Sequence, residues 1–294
     1  MTFSRVLAGA CVFALAFTSL AFEALAQPAQ RIELAARTKS VATPSVTTPA
    51  VASMNLTDVW HNPAEPGWGV FMDHQGDKLF GALFTHDAAG NPIWLVMSDG
   101  TRQADGAYMG DLYRSNGPLA EGLVDTQAVG MMRFEPGDGS SGTLTYVVAG
   151  VTQTKAVERF RFSSALRECR WSNDPQKATL ERANFTSLWW SPARPGWGLA
   201  LSQQGENSFG VLFIYDSKGR PSWVVMASGV EKSVGSFGGT LYRAARGAIQ
   251  EVGSLSLKFS SASDGVLKYR LDGADFEEKI TRQTFSPLRA QCSS

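Results

Sequence analysis

Cysteine and histidine are scarce in this chain, with three of each among 294 residues. An excess of charge of either sign is missing too, since 27 Lys and Arg stand against 27 Asp and Glu. That balance removes the basic footprint that nucleic acid or an anionic membrane surface requires of a partner. No apolar run reaches the roughly 20 residues of a membrane-spanning helix; the longest, Val6 to Phe22, ends after 17 at Glu23. Catalytic motifs are missing as well. There is no G-x-S-x-G elbow, because Gly137-Asp138-Gly139-Ser140-Ser141-Gly142 fails the spacing, and neither a P-loop nor a dinucleotide-binding glycine pattern occurs. No cofactor is implied.

The N-terminus reads as an export signal. Arg5 supplies a basic start, the apolar run follows, and Ala24-Leu25-Ala26 before Gln27 is a small-x-small cleavage site. Cleavage after Ala26 leaves 268 residues, still neutral, with Cys169 and Cys292 as the remaining cysteines. An even count in a secreted or periplasmic protein reads as one disulfide, the alternative being two separate buried thiols. Residues 27–54 are rich in Ala, Thr, Pro, Ser and Val, the composition of a disordered linker.

What dominates the rest is an internal repeat. LTDVWHNPAEPGWGVFMDH at 56–74 aligns without a gap with FTSLWWSPARPGWGLALSQ at 185–203. The offset of 129 continues through Asp87/Asp216, Gly90/Gly219, Trp94/Trp223 and Tyr113/Tyr242, then becomes 123 for Tyr146/Tyr269, Arg159/Arg282 and Cys169/Cys292. A period this long means duplication of a whole domain, because solenoid units are about 20 to 50 residues. The division is copy 1 at 55–162, a connector at 163–184 and copy 2 at 185–294.

Within each copy, short runs of Val, Phe, Trp, Tyr, Thr and Leu alternate with Gly, Asp and Pro punctuation. In copy 1 strands are predicted near 56–60, 68–74, 79–86, 92–98, 107–114, 127–134, 142–149 and 152–161, and the one candidate helix is 174–184 between the copies. Eight sequential strands with short links predict an all-β chain of two tandem up-and-down antiparallel barrels, since closure removes exposed edges. Two β-sandwich domains are the alternative. The second and third strands are apolar on both faces, one carrying Trp68, Val70, Met72 and Leu83, the other Phe71, Phe80, Ala82 and Phe84. Something must cover the outer face. The economical cover is the other copy, with Phe80 and Phe84 against Phe209 and Phe213 across a pseudo-two-fold axis inside a monomer. A transmembrane barrel would also be apolar outside, but Lys78, Lys155 and Arg159 fall in or beside strands, so the chain is not expected to span a membrane.

Two resemblances bear on these residues. Leu56-Thr57-Asp58-Val59-Trp60-His61-Asn62 resembles the opening x-T-G-x-W-x-N strand of avidin and streptavidin barrels, whose Asn lies in the biotin pocket; Asn62 is the matching position. Asp58 stands where that family has Gly, and Ser191 where copy 2 would need Asn, so biotin binding does not follow. The PGWG…F…YD..G.P.W texture is similar to uncharacterised secreted bacterial proteins with tandem β-domains, a likeness that brings no activity with it.

The three histidines, His61, His74 and His86, all lie in copy 1 and face Trp190, Gln203 and Tyr215 in copy 2, so no shared metal site is expected. The candidate ligand-binding residues are Trp60, Asn62, Trp68, Asp73, His86, Trp94, Tyr113, Trp189, Trp197, Trp223 and Tyr242. Trp60 and Trp189 also read as plugs of the barrel bottoms, and the glycines around Trp68 and Trp197 as room for backbone to pack on a large ring. Asn55 and Asn184 match glycosylation sequons, but their equivalent places suggest a turn. Residues 55–162 carry a net charge of −6 and residues 185–287 a net +2, a field able to steer a basic partner.

The expected function is a secreted or periplasmic non-catalytic binding protein or inhibitor whose partner is an unknown protein. The rivals are a carrier of avidin or lipocalin type for a small apolar ligand, and an enzyme working in copy 1 alone through Asp73 and His86.

Overall fold

The computed structural model describes residues 54–117, 125–164, 168–172, 180, 183–194, 196–245 and 248–293. The export signal, the linker up to residue 53 and all but three residues of the segment 174–184 lie outside the described residues. The described residues are all-β, without an α-helix. Strands β1 (Asp58–His61), β2 (Gly69–Gln75), β3 (Lys78–His86), β4 (Pro92–Arg102), β5 (Tyr108–Asn116), β6 (Asp125–Pro136), β7 (Ser141–Val148) and β8 (Val151–Arg159) form one closed antiparallel barrel. After β9 (Glu168–Ser172), a second closed barrel takes β10 (Ser187–Trp190), β11 (Gly198–Gln204), β12 (Asn207–Tyr215), β13 (Pro221–Ser233), β14 (Ser236–Ala245), β15 (Ala248–Phe259), β16 (Asp264–Leu271) and β17 (Ala274–Arg282). A last strand, β18 (Arg289–Ser293), pairs only with β9. Closure decides against sandwiches: β1 pairs with β8 at Trp60↔Arg159, and β10 with β17 at Trp189↔Arg282.

The turns follow from local chemistry. Gly76 takes φ +65 between Gln75 and Lys78, a left-handed value cheap for glycine in a two-residue hairpin link. In the 87–91 turn, Asp87 Oδ1 accepts from the amides of Ala89 and Asn91, and Gly90 closes the turn at φ +76. Asp216 does the same for Lys218 and Arg220, with Gly219 at φ +72.

Side chains alternate as a closed sheet requires. Inward positions of the first barrel, among them Trp60, Val70, Met72, Leu83, Met97, Leu112 and Phe134, are buried and form one core; Trp189, Leu199, Leu212, Met226, Phe237 and Phe259 belong to that of the second. A third cluster lies between the barrels. It contains the outward residues Val59, Phe71, Ala82, Phe84 and Trp94 of one copy and Leu188, Ala200, Val211, Phe213 and Trp223 of the other. At about 1.5–3 kcal/mol per fully buried large side chain, this seam is a major part of the fold's stability.

The seam is two-fold in its bonds as well as its shape. Trp94 Nε1 donates to Ile214 O at 3.0 Å and Trp223 Nε1 to Thr85 O at 2.9 Å. Gln75 Nε2 donates to Gln283 O at 3.0 Å and Gln204 Nε2 to Phe160 O at 2.8 Å. Phe84 and Phe213 meet near the axis with centroids 6.4 Å apart, as anticipated. Phe80 and Phe209 pack differently, against the segments that follow the last strands: Phe80 on Phe285, Phe209 on Phe160 and Phe162.

Candidate functional site

Each barrel is closed at one end by a Trp beneath an Arg. Trp60 Nε1 donates to Leu56 O at 3.0 Å and the Arg159 guanidinium lies 4.8 Å from its ring centre. Trp189 repeats this with Phe185 O at 3.0 Å and Arg282 at 4.7 Å. The arginines direct their donors at the entering chain, Arg159 to the carbonyls of Asn55, Thr57 and Gly139, Arg282 to those of Asn184, Thr186 and Ala262. Asn55 and Asn184 are turn residues here: their Oδ1 atoms accept from the amides of Thr57 and Thr186. These ends are packed plugs.

Histidine and glutamine do one job in the two copies. Leu56 N donates to His74 Nδ1 at 3.3 Å; Phe185 N donates to Gln203 Oε1 at 2.9 Å. A neutral His74 accepting at Nδ1 carries its proton on Nε2, which points at the Tyr108 phenol 2.7 Å away. Burial lowers the His74 pKa to about 4 and keeps the ring neutral. In the second barrel the Tyr108 position is Phe237, so tyrosine and histidine change together.

Between the two bottoms, acids of copy 1 meet serines of copy 2. Asp73 accepts from Ser187 Oγ at 2.9 Å and Leu188 N at 3.0 Å; Asp58 accepts from Ser202 Oγ at 2.6 Å and pairs with Arg159 at 3.2 Å. Arg282 has Ser187 where Arg159 has Asp58, and its nearby acid comes from the other barrel. Burial lowers the Arg282 pKa to about 10, with Asp73 opposing. Burial likewise raises Asp73, against its hydrogen bonds from Leu188, Ser187 and Gln75. Beside these groups is a cavity of about 40 Å³, lined by Asp73, His74, Arg282 and, from β18, Arg289 and Cys292. It has room for a few waters at most.

The opposite ends carry the PGWG loops. Cross-strand partners share a face, so Lys155, opposite the core residue Leu144, and Glu278, opposite Leu267, both face inward. Each meets its own loop: Lys155 pairs with Glu65 at 2.6 Å, and Glu278 with Arg194 at 2.5 Å. The positions are equivalent and the signs reversed. Trp197 lies beneath its latch, and neither its indole Nε1 nor that of Trp68 has a hydrogen-bond partner among the described residues. Among the described residues, the second mouth alone adds an aromatic wall, with Tyr269 and Phe276 stacked at 4.6 Å.

The remaining candidates fall elsewhere. Asn62 shapes the first mouth loop, its Oδ1 accepting from Ala64 N at 2.9 Å and its carbonyl from Glu65 N at 3.0 Å. Trp94 and Trp223 belong to the seam, and Tyr113 and Tyr242 stand half-buried opposite Val96 and Val225. His86 Nε2 lies 2.9 Å from Ala244 O, with Trp223 beside the ring. Asp73 faces Phe80 across the β2–β3 ladder, six positions and so about 20 Å along the strand from His86. The structure does not bring that pair together. Among the described residues no three His, Cys, Asp or Glu side chains are grouped to hold a metal ion, and no helix is long and apolar enough to cross a membrane. Sequence reading missed the arginine lids and the mouth ion pairs, although the shared Arg159/Arg282 and the opposed charges at 65/194 and 155/278 signalled both. Comparison with protein families, curated proteins and solved structures finds no match to this chain.

Proposed function

We propose that this is an exported, non-catalytic binding protein or inhibitor that engages another protein through the rims of its two fused barrels. The observation that carries the reading is that both barrel interiors are filled, with Trp60, Met72, Met97, Phe134, Trp189 and Phe237 at most 1% exposed within the cores. A carrier would need an enclosed apolar hollow of about 300 Å³ or more, and the hollows of that size found among the described residues, of about 310, 480 and 740 Å³, are open grooves that mix apolar surface with charged side chains, such as Arg114, Arg220 and Asp272 in the second and Lys232, Lys268 and Glu277 in the third. The rigid seam supports the reading too, since a preorganised surface binds at lower entropic cost. Export is supported by Arg5, the apolar run and Ala24-Leu25-Ala26. The register Cys169↔Cys292 supports a disulfide, because directly opposed antiparallel residues have Cα atoms about 4.5–5.5 Å apart, within the range a disulfide spans.

The test is to mix purified mature protein with the concentrated native secretome, isolate any stoichiometric complex and identify its second component. Native mass spectrometry of the protein alone runs alongside. A complex with one protein, lost when the mouth loops 62–67 and 191–196 are both replaced by Gly-Ser loops, supports the reading. A small molecule retained by the barrels, or turnover abolished by Asp73→Asn or His86→Gln, overturns it.

A further inference from the structure

The second mouth holds more than a latch requires. In the first barrel Glu65 and Lys155 close the rim with an ion pair alone, and the residue opposite Tyr146 is Gln153. In the second barrel the residue opposite Tyr269 is Phe276. There the Arg194 guanidinium lies 5.9 Å from the Trp197 ring centre and 6.0 Å from that of Phe276, pairs with Glu278, and sits close enough to the Tyr269 phenol for its charge to oppose the rise in pKa that burial imposes there. Two π faces, a carboxylate and a phenol oxygen are what a planar, delocalised cation wants.

The occupant and its site differ in exposure. The Glu278 side chain is 10% exposed, whereas that of Arg194 is 50% exposed on a loop where Gly196 takes φ +97. A buried carboxylate is costly to leave unpaired, so the site demands a cation. Arg194 supplies that cation from a half-exposed loop position, where a second guanidinium can approach the same carboxylate. Trp197, 8% exposed, adds a buried indole N–H with no partner among the described residues, a donor placed for an acceptor such as a peptide carbonyl.

We propose that the mouth of the second barrel is a recognition site for an arginine side chain of a partner protein, and that Arg194 occupies it in the free protein as an internal surrogate. This rests on the protein-binding reading above and names the partner's chemistry: a basic protein, toward which the first copy's net −6 provides electrostatic steering.

The experiment uses the full mature chain and N-acetyl-L-arginine amide, with N-acetyl-L-glutamine amide as control, followed by the indole N–H resonances in two-dimensional NMR and by calorimetry. Arg194→Ala opens the site and should bind the arginine probe at least tenfold more tightly than the parent, shifting the Trp197 indole signal and leaving the glutamine probe unbound. Adding Glu278→Gln or Phe276→Gln should return binding to the parent level. Equal binding by parent and Arg194→Ala, or no effect of Glu278→Gln, overturns the proposal, provided thermal melts show both variants folded; Arg194→Gln serves as the replacement if Arg194→Ala does not fold. Probe binding without any protein partner leaves the site standing and fails the broader reading. A partner that binds with Arg194→Ala/Glu278→Gln as tightly as with Arg194→Ala fails the site alone.

Discussion

Asp73 of the first barrel accepts a hydrogen bond from Ser187 of the second at 2.9 Å, and the equivalent positions return the bond in the opposite direction, Ser202 to Asp58 at 2.6 Å. One copy supplies both acids and the other both hydroxyls, so neither copy could form this contact with a duplicate of itself. Asp73→Ala removes the acceptor of Ser187 and Leu188 and the acid that offsets Arg282. The cost should be about 3 kcal/mol, read as a lower denaturant midpoint, with Asp73→Asn losing about half as much.

The seam should make the two barrels unfold as one unit. Tryptophan fluorescence and far-UV circular dichroism are expected to give coincident denaturation curves. Phe84→Ala with Phe213→Ala deletes the rings at the axis, at about 3–5 kcal/mol each, and should split the curve into two transitions.

His74 and Tyr108 should behave as a couple. Tyr108→Phe removes the phenol that His74 Nε2 meets at 2.7 Å in a buried site and should cost about 1–3 kcal/mol. Adding His74→Gln recreates the Gln203 and Phe237 combination and should recover most of that loss, a positive coupling in a double-mutant cycle.

The same histidine sets an acid limit. Its folded pKa, about 4, lies below its ordinary value of 6.5. Between those values the unfolded chain binds a proton that the folded chain refuses, so stability is complete above pH 6.5 and falls as pH drops toward 4, by about 3 kcal/mol. Asp73 acts in the opposite sense, because its raised folded pKa lets the folded chain take up a proton first. Melting temperature against pH should therefore flatten in His74→Gln.

A Cys169–Cys292 disulfide would close a loop of 122 intervening residues, worth about 4–5 kcal/mol in the chain-entropy model. Alkylation under denaturing conditions should label neither cysteine before reduction, and Cys292→Ser should lower the melting temperature under oxidising conditions without changing the fold.

The architecture was legible because duplication printed it twice. Strand faces around Val70 and Phe71, the Asp87 and Asp216 turns, and the need for a cover over Phe84 all follow from period-two alternation and its violation. What alternation cannot convey is which partner a long side chain reaches across space. Phe80 lies on the seam as its face predicts, yet its neighbour Phe285 comes from beyond the last strand. In the sequence Arg159 and Arg282 show only as a matched pair of the repeat, and it is barrel closure that brings them over Trp60 and Trp189. Asp73 and His86, adjacent as chemistry on paper, are separated by the length of a strand because they share a hairpin and not a height on it.

The opposed ion pairs at the two mouths constrain the history of the chain. Had the repeats exchanged their PGWG loops by recombination, Glu65 would face Glu278 and Arg194 would face Lys155, placing like charges together at both rims. Each loop is thereby keyed to its own barrel, and the duplicate halves are held apart as distinct parts, free to specialise one mouth while the other stays a simple closure.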